Sequence, residues 1–176
     1  MTPRFFGYGS LVNIATHTYP DLQKAKLNGW RRVWRQTNLR PLAFLSIEPC
    51  EETDLLGVTA QVPEANWTAL DQREFAYFRH DISHQLVPIQ EQTAVYILEQ
   101  DLKDRKYPIL LSYLDVVVQG YLHQFGEEGA YHFFETTYDW ESPILDDRAA
   151  PHYPRSQILT KTERSLVDQL LKSVKN

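Results

Sequence analysis

The sequence has a single cysteine, Cys50. One thiol forms no intramolecular disulfide and supplies no cysteine-based metal site. No apolar run approaches the ~20 residues that span a bilayer as a helix. The N-terminus also lacks the charged-then-apolar pattern of a secretory leader. Basic residues are in deficit: 18 Lys plus Arg stand against 23 Asp plus Glu, a net charge of −5. An acidic chain has no global electrostatic attraction for nucleic acid. The sequence therefore reads as a soluble, cytoplasmic protein of a reducing compartment, with neither nucleic acid nor membrane as partner. Its oligomeric state is not legible.

What is present fits a single domain over residues 1–176. Hydrophobic residues make up 43% and charged residues 23%, enough for a sizeable core without a bias to disorder. Aromatics reach 12%, and such residues line small-molecule pockets as well as cores. The one basic cluster is "GWRRVWRQTNLR", with Arg31, Arg32, Arg35 and Arg40. Its interleaved Trp30 and Trp34 make RNA binding conceivable, but a strand with a solvated basic edge is the simpler reading.

Residues 3–8 read as a first strand ending at Gly9-Ser10. Residues 27–37 and 40–49 read as strands broken at Asn28-Gly29 and Pro41, with "EETD" (51–54) as a turn. Residues 55–62 alternate as a half-buried strand. Pro63 then opens a predicted helix that meets no breaker before Ala76. Residues 78–89 alternate again, with Ile82 and Leu86 on one face, and 93–99 is another strand. An apolar helix is predicted from 108 to 119, ending at Gly120. Residues 139–155 form a polar, proline-rich loop. Thr160 and Glu163 make a capping box for a last helix striped by Leu166, Leu170 and Val174.

Two features bear on chemistry. In "RFFGYGSLVN" (4–13), two glycines flank Tyr8 and allow a tight turn whose N–H groups form an anion-binding nest. A plain turn is the commoner use of such glycines. The stretch is neither a Walker loop nor a dinucleotide fingerprint. In the predicted helix, with Trp67 at zero and about 100° per residue, Glu74 falls within roughly 20° of Trp67. A carboxylate on an apolar face is desolvated, its pKa rises, and it suits general-base work near neutrality. Asp71 competes for that role. Pairing of Glu74 with Arg73 or Arg79 is the plainer structural reading.

Taken together, "FFGYGSL", "AKLNGWRRVW", "GVTAQVPEANWTALDQREFAYFRHDI" and, more weakly, "YLDVVVQG" (113–120) resemble the γ-glutamylcyclotransferase superfamily. The resemblance covers the first hundred residues or so well, and the rest loosely. It implies an α/β fold of the mixed α+β kind, a small mixed β-barrel flanked by helices, with a core over about 1–120 and an extension over 121–176. It implies that Tyr8, Gly9, Ser10 and Leu11 cradle substrate, that Glu74 is the catalytic acid/base and that Tyr113 lines the pocket. Where these proteins often have glycine after the glutamate, this sequence has Phe75, and the 139–155 loop does not align with the family pattern.

The implied reaction cyclises a γ-glutamyl group to 5-oxoproline and releases an amine or amino acid. It needs neither metal nor other cofactor, because the nucleophile belongs to the small-molecule γ-glutamyl substrate. Two alternatives stay open. One is a non-catalytic binder of a γ-glutamyl or amino-acid-like molecule. The other is a metal-dependent hydrolase drawing on His132, Asp139, Glu141, Asp146, Asp147 and His152, for which solvated loop acids are the simpler account.

Overall fold

The computed structural model describes residues 1–175. Strand β1 (Arg4–Gly7) is followed by a 3-10 turn over Ser10–Val12, then by β2 (Gln23–Gln36) and β3 (Ala43–Gln61). After these come α1 (Thr68–Arg73), β4 (Phe78–Asp81), β5 (Leu86–Val87), β6 (Thr93–Ile97) and β7 (Ile109–Leu110). The chain continues through α2 (Leu111–Glu135), β8 (Thr137–Tyr138), β9 (Ile144–Leu145) and α3 (Lys161–Lys175). The main sheet runs β4-β6-β1-β3-β2-β5, with β8 also on β2, and curls into a half-barrel. It is mixed: β1 is antiparallel to β3 and parallel to β6. Strands β7 and β9 form a separate parallel pair.

Strand β1 sets the layering. Side chains alternate across a strand, so adjacent Phe5 and Phe6 point to opposite faces. Phe6 joins Val58, Val95, Leu114, Val117 and Tyr121 in the main core between sheet and α2. Phe5 joins Val62, Leu70 and Tyr96 in a smaller core beneath α1. Both phenylalanines are buried, each burial worth about 1.5–3 kcal/mol. The strand thus ends with a core on each side, and the Tyr8–Val12 turn emerges between α1 and α2.

Several elements differ from the sequence reading. Residues 51–54 are not a turn but the middle of β3, whose register with β2 shifts only between Asn28 and Trp30. Asp54 there accepts from Lys26 at 3.0 Å and from the Gly29 amide at 3.3 Å, so polar residues serve an exposed stretch of ladder. The helix expected from Pro63 is a 3-10 turn over Pro63–Ala65 and a separate α1 of six residues, divided at Asn66, whose side chain accepts from the Thr68 amide at 3.2 Å. Helix α2 does not stop at Gly120. It packs there against Asn13, whose side-chain amide donates at 2.9 Å to Val116 O and to Gln119 Oε1. The break comes at Gly126, with φ +74°, a conformation that glycine adopts without penalty.

The last helix matches its signals. Glu163 accepts from the Thr160 amide at 2.7 Å, and the Glu163 amide donates to Thr160 Oγ1 at 3.2 Å. Leu166, Leu170 and Val174 pack on the main core. No helix among the described residues is long and apolar enough to cross a membrane.

Candidate active site

The turn after β1 closes by two 3-10 bonds, Val12 N–H to Gly9 O and Asn13 N–H to Ser10 O, both 3.1 Å. Amides that open a helical turn have no carbonyl behind them to accept. Among the described residues, the N–H groups of Gly9, Ser10 and Leu11 have no partner. Position 9 must be small for a packing reason. A Cβ there would lie 2.8 Å from the Tyr113 hydroxyl oxygen and 3.3 Å from Leu45 Cδ2. The Tyr113 hydroxyl is itself without a hydrogen-bond partner among the described residues.

Behind the turn stands a residue that the sequence reading placed on a solvated basic edge. Arg32 is 0% exposed. Its Nε donates to Tyr8 O at 2.8 Å, and its other nitrogens reach Leu56 O at 2.7 Å, Thr136 Oγ1 at 2.6 Å and the Tyr121 hydroxyl. The guanidinium lies 4.9 Å from the Tyr121 ring centre and 5.1 Å from that of Phe133. Tyr121 Oη also donates to Tyr8 O, at 2.9 Å. The Tyr8–Gly9 peptide is therefore pinned from its carbonyl side, which fixes the direction of the Gly9 N–H. The Tyr8 side chain is a core residue, buried and donating to Tyr96 O at 2.7 Å.

Glu74 is the C-cap of α1, its N–H donating to Leu70 O at 2.8 Å. The short helix keeps the phase expected from the sequence: Leu70 is fully buried, and the Glu74 side chain is only 16% exposed. Arg73 Nε lies 3.2 Å from Glu74 Oε1, so the ion-pair alternative is also realised. Arg73 is shared, however, donating to Thr16 O at 2.9 Å, Thr16 Oγ1 at 3.0 Å and Ser10 Oγ at 3.2 Å. It thereby ties α1 to the glycine turn. Burial raises the Glu74 pKa, and the Arg73 and Arg155 cations offset that only in part, leaving it above the ordinary value of 4.5. Arg79 pairs instead with Asp71 at 3.0 Å, and Asp71 also accepts from Tyr96 Oη at 2.6 Å. Asp71 is thus engaged outside the cavity.

Two connected spaces share Ser10, Leu45, Glu74, Tyr77 and Tyr113 as walls. The inner one, about 30 Å³, lies between the Tyr8–Leu11 turn and Glu74. The outer one is about 380 Å³ and opens past Phe75. All six residues that the sequence reading assigned to the site, Tyr8, Gly9, Ser10, Leu11, Glu74 and Tyr113, line the inner space. Burial pushes the phenols of Tyr77 and Tyr113 well above their usual range, so both are neutral hydroxyls. Tyr77 Oη is spent on Leu45 O at 2.8 Å.

The outer wall was not foreseen. His152, Tyr153, Pro154 and Arg155 come from the polar, proline-rich loop, of which the sequence reading had considered His152 and the acids, and those only for the hydrolase alternative. Asp147 anchors it, accepting from Ser112 N at 2.8 Å, Ser112 Oγ at 2.6 Å and His152 N at 2.8 Å. Arg148 holds it to both long helices through Asp115 at 2.7 Å and Asp168 at 2.8 Å. The Tyr153 ring then meets Tyr113 edge-on at 5.0 Å. The acids of the hydrolase alternative are scattered or engaged: His132 Nε2 accepts from Leu56 N at 3.1 Å, and no three such side chains converge among the described residues.

No protein-family model matches the sequence, and no curated protein does. Solved structures do share its architecture. A protein named gamma-glutamyl cyclotransferase is similar with a TM-score of 0.58 at 11% identity, over 96% of this chain and 99% of that one. YkqA from Bacillus subtilis has a TM-score of 0.58 at 15% identity over 82% of this chain, which spans 56% of YkqA's length. An uncharacterized protein from Homo sapiens, loc79017, has a TM-score of 0.57 at 12% identity over 95% of this chain and 98% of that one. At such identities the likeness is one of fold: the chain has a γ-glutamylcyclotransferase-like fold.

Proposed function

We propose that the protein is a γ-glutamylcyclotransferase, converting a γ-glutamyl compound to 5-oxoproline and a free amine or amino acid. One observation carries the reading: Glu74, a largely buried carboxylate of raised pKa, shares the walls of a space of about 30 Å³ with the Gly9–Leu11 turn, whose three amides are unpaired among the described residues, and with Tyr113, whose hydroxyl is free. A carboxylate opposite an oxyanion-type cradle suits a reaction that removes a proton on one side and builds negative charge on the other.

The substrate enters with its α-ammonium towards Glu74 and its γ-amide carbonyl towards Gly9, Ser10 and Leu11. Glu74 takes a proton from the ammonium. The freed amine attacks the γ-carbonyl carbon, a C–N bond forms, and the carbonyl oxygen becomes an oxyanion held by the turn amides. Glu74 returns its proton to the leaving nitrogen and takes the second proton from the new ring nitrogen; the original C–N bond breaks, and that second proton leaves with the departing amine as its ammonium. Electrons and protons balance without an external nucleophile, and 5-oxoproline leaves with the amine. General-base action contributes about 10²–10⁴-fold. Folding the glutamyl chain for attack adds an orientation contribution.

The Arg73 ion pair supports a second reading, in which Glu74 is only an ammonium anchor in a binding protein. Incubation of the protein with γ-glutamyl amino acids, γ-glutamylamines and glutathione, followed by detection of 5-oxoproline, separates the two. Release that depends on Glu74 supports the enzyme. Tight binding with no 5-oxoproline from any compound overturns it.

A further inference from the structure

The charges of the two spaces differ. The inner space has Glu74 as its sole charged wall residue. The outer space adds Arg40, Arg73 and Arg155 and no second carboxylate. In a chain of net charge −5, a concave surface with three cations and one anion is a local inversion of sign. Arg73 is committed to Glu74, Ser10 and Thr16. Arg155 and Arg40 are not committed: neither has a carboxylate partner among the described residues. Arg155 is half-buried on the anchored loop, near enough to act on the Glu74 charge. Arg40 is exposed and lies 5.3 Å from the centre of the Phe75 ring, a cation–π contact that holds it beside the mouth. Phe75 is 54% exposed and so contributes little to the core.

We infer that Arg155, with Arg40 held on Phe75, is a receptor for an anionic group on the part of the substrate that leaves. The inference rests on the cyclotransferase reading and goes further by assigning the outer space a charge preference. The inner space has room for little more than the γ-carbonyl oxygen, so the rest of the substrate, the released portion included, extends into the outer one. A half-buried guanidinium with no internal carboxylate is a bidentate donor awaiting one. A released amino acid or peptide presents a carboxylate there, and a released simple amine presents none. Phe75, where a glycine was expected, gains a reason: it is the platform for Arg40.

γ-Glutamylalanine and γ-glutamylethylamide differ by that one carboxylate. Their kcat/KM values for 5-oxoproline release, and their ratio, are measured for the parent, Arg155→Gln, Arg155→Lys and Arg40→Gln. Because Arg155 also acts on Glu74, which affects both substrates alike, the ratio is the informative quantity. The parent is expected to prefer γ-glutamylalanine at least tenfold. Arg155→Gln should collapse the ratio to within about threefold, Arg155→Lys should keep most of it, and Arg40→Gln should reduce it partly. A parent ratio near one, or a ratio unmoved by Arg155→Gln, overturns the inference and leaves the cyclotransferase reading standing. Calorimetric binding of both compounds to Glu74→Gln, with and without Arg155→Gln, reads the preference without turnover. A charge preference there with no 5-oxoproline from the parent ends the cyclotransferase reading instead.

Discussion

Gly9 and Tyr113 are set so closely that a single added carbon at position 9 would lie 2.8 Å from the tyrosine hydroxyl oxygen. The contact joins the two sides of the inner space, one from the turn after β1 and the other from the first turn of α2. The obstructing atom is the far end of a flexible side chain, so the protein can relax by moving Tyr113, at the cost of the geometry that the hydroxyl provides. Gly9→Ala should therefore fold, melting within a few degrees of the parent for a cost of about 1 kcal/mol. Its kcat/KM should fall at least about tenfold, as expected when a transition-state donor is displaced. Removing the hydroxyl relieves the clash, so Gly9→Ala should cost less stability in a Tyr113→Phe background, a positive coupling in a double-mutant cycle. Parental activity in Gly9→Ala would show that the turn does not approach the substrate.

Glu74→Gln keeps the volume of the side chain and removes its charge and basicity. Arg73 loses one partner and keeps Ser10 and Thr16, so its own burial stays hydrogen-bonded. Melting should be close to the parent's at neutral pH, because a desolvation penalty and an ion pair are lost together. Turnover should drop by about two to four powers of ten. Stable protein with undiminished 5-oxoproline release would remove Glu74 from the mechanism.

The direction of the Glu74 shift gives a pH signature. The base works ionised, so kcat/KM should rise with pH through a value above 4.5. For stability, a carboxyl whose folded pKa lies above its unfolded pKa carries no penalty below the unfolded value. Stability is lost as pH rises from there through the folded pKa. The melting difference between Glu74→Gln and the parent should thus move in the variant's favour as pH rises from below 4.5. Arg73→Met removes the larger of the two offsetting cations, so it should move the acid limb of the rate profile to higher pH. An acid limb at the same pH in parent and Arg73→Met would show that the ion pair does not act on the catalytic proton.

The parts of this molecule legible in sequence are those set by local chemistry. Glu74 stood out because one helical turn links it to Leu70 and two link it to Trp67, and that phase survived even though α1 proved much shorter than predicted. The Thr160–Glu163 box was legible because its two hydrogen bonds join residues three apart. Arg32 was not legible. Its acceptors lie 24, 89 and 104 residues away, and nothing nearby distinguishes a buried arginine from Arg31 beside it, which pairs with Glu48 on the surface. Gly120 misled because a missing Cβ serves a close contact with Asn13 as well as it serves a helix end. Arg155 and Tyr153 sit in a segment without regular periodicity, and their place at the site depends on Asp147 and Arg148 reaching α2 and α3.

That dependence supports a final prediction. Asp147 carries three short bonds, two from Ser112 in the first turn of α2 and one from the His152 amide. Burial opposes its charge, but the donors from Ser112 and His152 outweigh burial and hold its pKa below the ordinary 3.8. Asp147→Ala leaves the buried Ser112 amide and hydroxyl without this acceptor, at a cost of about 1–3 kcal/mol. The larger effect should be on binding, since His152 leads directly into Tyr153 and Arg155 on the outer wall. Gly9, Glu74 and Tyr113 remain in place, so KM should rise several-fold while kcat changes by less than about threefold. Arg148→Met cuts the same loop from Asp115 and Asp168 by a different route and should repeat the pattern. Equal losses in kcat and kcat/KM for both variants would mean that the loop shapes the reacting centre itself, whereas unchanged kinetics in both would mean that it is no part of the site.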